Sequence, residues 1–289
     1  LTLIAGPCFL ALPWSLDYYT QDFHPESVEL PPRAPSLDEP LGSDGLGRSL
    51  MWRCLLGGAI SLTIGLAAAM LAVFIGVIWG ALSGYLGGRV DSAMMRIVDI
   101  FYGLPYILLV VLVDLAMQPV LEAGASLVLA ATSAERVADV TTLLLAIGAV
   151  SWLTMARVIR GQVLSLREHQ FVEAARAIGA GPGRILRRHL LPNLIGPIVV
   201  YTTLTVPAAI LQESFLSFLG IGVQAPLPSW GNLATDGVNE LTGAITGGLR
   251  GEWDWWLLAF PCLLLGLTLM ALNFLGDALR DRFDPKHEA

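Results

Sequence analysis

One lysine stands among the 289 residues, Lys286, close to the carboxyl end. A phosphate-binding P-loop needs a lysine on the β and γ phosphates, so this chain cannot hydrolyse ATP by that route. Cysteine is nearly as scarce. Cys8, Cys54 and Cys262 lie in apolar surroundings with no C-x-x-C spacing, so neither a disulfide framework nor a zinc site is indicated. The four histidines, His24, His169, His189 and His287, are scattered, and no pair has the i, i+4 spacing of a helical metal site. Charged residues make up only 14% of the chain against 55% hydrophobic, with a mean hydropathy of +0.66, which excludes an ordinary soluble domain.

What the chain has instead is long uncharged runs. A helix that crosses a bilayer needs about 20 mostly apolar residues. Six intervals approach this: Leu1–Leu16, the run within Cys54–Gly88, Ile97–Met117, Val140–Ala156, Leu190 to near Leu211, and Trp255–Gly276. The expected fold class is therefore all-α, a polytopic membrane protein with six transmembrane helices. Leu1–Leu16 lacks the basic start and small-residue cleavage site of a signal peptide. It is expected to be a transmembrane helix whose cytoplasmic beginning precedes Leu1.

Arginine placement sets the orientation. Arg89, Arg96, Arg157, Arg160, Arg167, Arg176, Arg184, Arg187, Arg188, Arg280, Arg282 and Lys286, 12 of the 17 basic residues, fall on one side of the spans. Arg33, Arg48, Arg136 and Arg250 fall on the other, with Arg53 at a boundary. The positive-inside rule places both termini in the cytoplasm. Asp17–Leu50 holds seven acids, five prolines and two arginines, and reads as an extended outer connection. Its end, LGSDGLGR from Leu41, is Gly-rich but lacks the lysine and preceding strand of a phosphate loop. Gln118–Asp139 reads as a small-residue loop, with Ala123–Thr132 as a short interfacial or re-entrant helix or, equally, a plain surface loop. Gly220–Asp254 reads as an ordered outer cap.

The most informative stretch lies between Arg157 and Asn193. Phe171, Ala174 or Ala175, and Ile178 form an apolar helical stripe, while Arg167, Glu168, Glu173 and Arg176 take the other faces. Gly179, Ala180, Gly181, Pro182 and Gly183 cannot continue a regular helix, and glycine tolerates the positive φ of a sharp turn. A second amphipathic piece sets Ile185, Leu186, His189 and Leu190 against Arg184, Arg187 and Arg188, and Pro192 marks the start of span five. On composition alone, a basic hairpin lying on anionic lipid is an equal reading.

Glu173, Ala174, Ala175, Gly179, Leu191 and Pro192 carry a spacing that resembles the EAA loop of permease subunits of ATP-binding-cassette importers. The resemblance widens along the chain: LGSDGLGR at Leu41, GYLGGRVD at Gly84, RGQVLSLREHQFVEAARAIGA at Arg160, RHLLPN at Arg188, SFLGIGVQAPLPSWGN at Ser217 and NFLGDALRDRFDP at Asn273. In that order they are similar to the second permease subunit of the dipeptide, oligopeptide and nickel importer group. His189 stands where many importer permeases have Ile, and an Arg-His pair before Leu-Pro fits the peptide and nickel group. The Gln118–Asp139 loop looks longer than usual in the group.

The resemblance implies a type I importer permease fold with a cytoplasmic coupling helix, in the bacterial plasma membrane. It implies a first transmembrane helix at 1–16, an extracytoplasmic linker at 17–53, a permease domain at 54–278 and a cytoplasmic tail at 279–289. The remaining spans would fall near 56–82, 97–117, 140–158, 190–214 and 255–276, with a coupling segment at 164–190. Glu173, Ala174, Ala175, Arg176, Ile178, Gly179 and Ala180 would dock on an ATPase subunit. Gly181, Pro182, Gly183, Arg187, Arg188, His189 and Pro192 would form the turn and lever. Implied partners are a homologous second permease, two cytoplasmic ATP-binding subunits that hold ATP and Mg, an extracytoplasmic binding protein and membrane lipid; no cofactor, catalytic residue or nucleic acid is expected here. Peptide is the implied cargo, with nickel or another small solute as the alternative.

Asp99, Asp114 and Glu213 fall in or at the ends of spans, where a carboxylate is costly and faces a bundle interior or a water-filled path. Asp114 and Glu213 are candidates for the pathway lining, or for structural pairing. Asp114 or Glu213 as a proton site would make the chain a secondary transporter, a reading that leaves the EAA spacing unexplained. Pro105, Pro207 and Pro261 are expected to kink their helices.

Overall fold

The structure, a computed structural model, describes residues 1–14, 32–37, 39–126, 131–245 and 254–283. Most of the expected outer linker, the centre of Ala123–Thr132, the last part of the expected outer cap and the tail with Lys286 lie outside the described residues. Helix dominates: α1 (Thr2–Leu10), α2 (Leu50–Leu86), α3 (Gly88–Tyr102), α4 (Tyr106–Ala125), α5 (Ala131–Leu166), α6 (Gln170–Ala177), α7 (Ile195–Phe218), α8 (Trp230–Ile245) and α9 (Trp256–Phe283). Among the described residues the only β feature is an isolated bridge between Ser43 and Ser49.

Among the described residues five helices are long and apolar enough to cross a membrane: α2, α4, most of α5, α7 and most of α9. The expected sixth, at Leu1–Leu16, corresponds to α1, whose nine residues are fewer than a crossing requires. At 37 and 36 residues, α2 and α5 are each about 55 Å long at 1.5 Å per residue, well beyond the hydrocarbon core. Each is therefore longer than a single crossing needs, and the last third of α5 carries Arg157 and Arg160.

The expected span over 97–117 is instead two helices. Gly103 N–H bonds back to the Asp99 and Ile100 carbonyls, and the chain turns at Leu104 before Pro105. A proline disfavours helical geometry in the residue before it and has no N–H to give, so Pro105 separates α3 from α4 where the sequence suggests a kink. The Gln118–Asp139 loop also shortens. Helix runs through Gln118–Ala125 and again from Ala131, as the Ala, Leu and Glu content favours.

The chain divides into two compact units. One comprises Leu1–Gly65, Val120–Leu143 and Ile210–Leu272. Its core includes Leu50, Cys54, Leu233, Trp256 and Leu257, and Trp230 is fully buried with its indole N–H bonded to the Cys54 carbonyl at 3.0 Å. Ser229 caps α8 reciprocally: its Oγ accepts from Asn232 N–H at 3.2 Å, and Asn232 Oδ1 accepts from Ser229 N–H at 2.8 Å. This is the side-chain exchange of a capping box, and it explains why α8 starts at Trp230.

The other unit comprises Leu66–Pro119, Leu144–Ala209 and Asn273–Ala289. Here Gly76, Gly80 and Gly84 form a small-residue stripe on α2. A side chain at any of them would strike α5, at Met155, at the Ala156 carbonyl and at the Arg160 carbonyl. Close approach of two helix backbones along such a stripe is a common way to pack helices in lipid, where apolar transfer supplies little drive. Trp79 and Trp152 lock the same contact edge to face, with centroids 5.1 Å apart.

Candidate functional site

α6 (QFVEAARA) is eight residues long and splits into two faces. Val172 and Ala175 are buried with Ile159, Val163, Ile185, Leu190 and Leu194 in one cluster. Phe171, Glu173, Ala174, Arg176 and Ile178 are exposed, Ile178 at 85%. The apolar stripe expected at Phe171, Ala174 or Ala175, and Ile178 is thus divided. Ala175 turns inward beside Val172, which the sequence pattern left unassigned, and the others form an uncovered apolar strip flanked by Glu173 and Arg176.

The end of α6 is a Schellman turn. Ala180 N–H bonds to the Ala175 carbonyl at 3.0 Å and Gly179 N–H to the Arg176 carbonyl at 2.9 Å, with Gly179 at φ +81°. A left-handed residue closes such a turn, and glycine reaches it without a Cβ penalty. Gly181 and Gly183 have no such φ; Gly181 precedes the short helical turn Pro182–Ile185.

From Leu186 to Leu190 the backbone widens into a π turn, and Leu191 N–H reaches back to the Leu186 carbonyl. Pro192 accounts for the irregularity, since its ring would crowd the preceding helical turn and it donates no hydrogen bond. The side-chain amide of Asn193 donates to the His189 carbonyl at 2.6 Å. Ile185 and Leu190 are buried and Arg184, Arg187 and Arg188 exposed, so the second amphipathic piece has the faces its pattern indicates, with His189 half-buried.

Just before α6, the end of α5 is fastened to α2 and α3 by three arginines, Arg157, Arg160 and Arg167, whose partners the sequence does not name. Arg160 donates to both oxygens of Asp91, Nε to Oδ1 at 2.5 Å and Nη2 to Oδ2 at 2.6 Å. Ser83 Oγ also donates to Asp91 Oδ1. Arg157 bonds Asp99 at 2.7 Å and lies 3.9 Å from the centroid of the Tyr102 ring. Arg167 donates to the Gly84 carbonyl at 3.1 Å. The Arg160 hydrogen bonds hold the Asp91 carboxyl below the usual carboxylate range. Burial opposes them, while Ser83 and the charges of Arg160 and Arg167 reinforce them. The signal was present in GYLGGRVD: Asp91 stands just after paired glycines, Gly87 and Gly88, both at positive φ.

The two candidate pathway acids differ. Asp114 is half-buried on α4. Glu213, on α7, is fully buried. Ser217 and Ser214 donate to it at 2.9 and 3.2 Å, and Ser61 and Ser229 also hydrogen-bond its carboxyl. The hydroxyls that surround Glu213 all come from its own unit, and its side chain has no exposed surface. Among the described residues no group of His, Cys, Asp and Glu could hold a metal ion.

Residues 72–288 match the binding-protein-dependent transport system inner membrane component family. The chain belongs to this family. As such it is a multi-pass membrane component of a multi-subunit transport system. This transport component is 45% identical over 252 residues to the dipeptide transport system permease protein DppC of Bacillus subtilis, covering 87% of this chain and 70% of that one. It is 46% identical over 245 residues to the oligopeptide transport system permease protein OppC of Escherichia coli, covering 85% and 72%. Two inward-facing crystal forms of the MetNI methionine ABC transporter share its fold, with TM-scores of 0.53 and 0.56 at 20% identity over 81% of this chain and 98% of that chain.

Proposed function

We propose that this chain is the permease subunit of an ATP-driven importer of short peptides, forming half of the translocation path beside a homologous second permease. The observation that carries this is the form of α6. Its inner face is buried in its own unit, its end is fixed by Gly179, and its outer strip of Phe171, Ala174 and Ile178 is uncovered. That is what a coupling element needs: a rigid root and a free apolar surface for a partner. The names of the relatives supply the cargo class.

Two cytoplasmic ATPase subunits hold ATP and Mg and receive the coupling segments of the two permeases at Glu173, Ala174, Arg176, Ile178, Gly179 and Ala180, while Ala175, expected among the docking residues, is buried beneath them and roots the helix. Gly181, Pro182, Gly183, Arg187, Arg188, His189 and Pro192 carry the motion into α7. Both termini lie in the cytoplasm, and an extracytoplasmic binding protein delivers the peptide to the opposite face. The ATPase states must differ in affinity for the inward and outward permease conformations, or nothing moves. No step of bond-breaking chemistry falls to this chain.

The test is reconstitution of the chain with its partner permease, ATPases and binding protein in proteoliposomes, following labelled dipeptide uptake and ATP hydrolysis together. The reading expects ATP-dependent peptide uptake, and expects Glu173→Ala to lower uptake per ATP hydrolysed. Peptide uptake without ATP, or a wild-type ratio in the variant, overturns it.

A further inference from the structure

α3 carries four charged side chains in 15 residues, and the fold sorts them by sign. Both acids are taken by α5: Asp91 by Arg160 and Asp99 by Arg157. Both arginines, Arg89 and Arg96, are exposed, and among the described residues neither has a hydrogen-bond or ion-pair partner. They stand seven residues apart, within about 20° of two full turns, so they share one line on the helix at a spacing of about 10 Å.

A second exposed line runs beside the first. Val90, Ile97 and Phe101 follow at i, i+7 and i+11, each more than two-fifths exposed, and Ala93 and Ile100 fill the strip between the two lines. The remaining side of α3 is packed. Asp91, Met95 and Val98 are buried, and the Trp79 indole N–H of α2 donates to the Met94 carbonyl at 3.4 Å. These parts of α2, α3 and α5 belong to one compact unit. α3 thus has a rooted face, an uncovered apolar face and, along the edge of the apolar one, two unpaired guanidiniums.

The level of this surface follows from its neighbour in the chain. Tyr106–Val113, which opens α4, carries no charge, so a charged helix gives way to an apolar, membrane-crossing one at the turn over Gly103–Pro105. A helix that ends where a crossing begins lies at the headgroup level. There an apolar stripe meets acyl chains while arginine stems reach toward phosphates. An acidic protein surface would answer the arginines but not the apolar line beside them, and a lipid of zero net charge would answer the apolar line but not the arginines. An anionic phospholipid answers both. We propose that the outer side of α3 binds anionic phospholipid, acyl chains along Val90, Ile97 and Phe101 and headgroup phosphates at Arg89 and Arg96. The spacing of the arginines suits two phosphates, on neighbouring lipids or on one lipid that carries two. Bound lipid braces the helix to which Arg157 and Arg160 fasten α5, whatever solute the transporter carries.

The test places a photo-crosslinking amino acid at Ala93, between the two lines, in the assembled transporter in nanodiscs of equal parts phosphatidylglycerol and phosphatidylcholine. Adducts are read by mass spectrometry. Phosphatidylglycerol adducts should exceed phosphatidylcholine adducts about twentyfold, the product of about fivefold for each basic residue at an anionic surface. Arg89→Gln together with Arg96→Gln should bring the ratio near one, and Arg89→Lys together with Arg96→Lys should keep most of it. Both positions are exposed, so both paired variants should assemble as the unsubstituted chain does. No lipid adduct, equal adducts of the two lipids, a ratio unmoved by the glutamine pair, or a preference lost in the lysine pair overturns the proposal. So do adducts mainly with an ATPase subunit or with the second permease, which would make this face a protein contact. The readout involves no transport, so its failure is distinguishable from failure of the peptide uptake experiment.

Discussion

Arg160 holds Asp91 through two parallel hydrogen bonds of 2.5 and 2.6 Å, tying the end of α5 to the first turn of α3. Such a bidentate pair fixes direction as well as distance, which a point-charge lysine cannot do. Arg160 lies ten residues ahead of α6, so in the proposed coupling role a displacement of α6 is passed to α3 and to Ser83 of α2 through this pair.

Arg160→Lys is accordingly expected to keep the chain inserted but to lower peptide uptake per ATP hydrolysed, measured in proteoliposomes. Wild-type coupling in that variant would return Arg160 to orientation alone.

The same pair makes an acid-labile contribution to stability. Asp91 has its folded-state pKa depressed, so its contribution is fully present above the unfolded carboxylate value of about 3.9 and is lost as pH falls through the lower folded value. Asp91→Asn is expected to be less stable than wild type by roughly 1.5–3 kcal/mol at pH 7. Thermal unfolding in detergent should show that gap closing below about pH 4. A gap that persists at pH 3 would mean the loss is not electrostatic.

Gly179 supplies a separate check. At φ +81°, alanine should cost about 1 kcal/mol or more and misdirect the turn after α6, whereas asparagine, which tolerates the left-handed region, should cost less. The expected order of coupling, uptake per ATP, is wild type, then Gly179→Asn, then Gly179→Ala. Equal coupling in all three would remove the turn from the mechanism.

Glu213 is expected to act on stability and not on cargo choice. Glu213→Ala strands the hydroxyls of Ser61, Ser214, Ser217 and Ser229 in a dry interior and should cost about 3 kcal/mol or more, read as a lowered unfolding midpoint. Glu213→Gln should lose less. A changed peptide preference at unchanged stability would reinstate it as a pathway residue.

Much of this was legible in the sequence because it depends on local chemistry. Uncharged length gave the long helices, and the glycines and Pro182 gave the break after α6. The amphipathic pattern of Ile185 to Leu190 set the buried face against the arginines. What was not legible depends on partners distant in sequence. Nothing local says that Val172, and not Phe171, turns inward, because the deciding neighbours are Ile159, Val163 and Leu194. Asp91 and Arg160 are 69 residues apart, and the Ser61 and Ser229 hydroxyls that bond Glu213 come from elsewhere in the chain. Pro105 was seen, but whether it bends or ends a helix depends on Gly103 and Leu104 closing the turn before it.

The most direct measurement is on Ile178, the more exposed of the two large apolar residues on the outer strip of α6. A photo-crosslinking amino acid at this position, activated in the assembled transporter in native membranes and analysed by mass spectrometry, should form its adduct with an ATP-binding subunit. Adducts with lipid alone would contradict the account and leave α6 as a basic hairpin resting on the membrane.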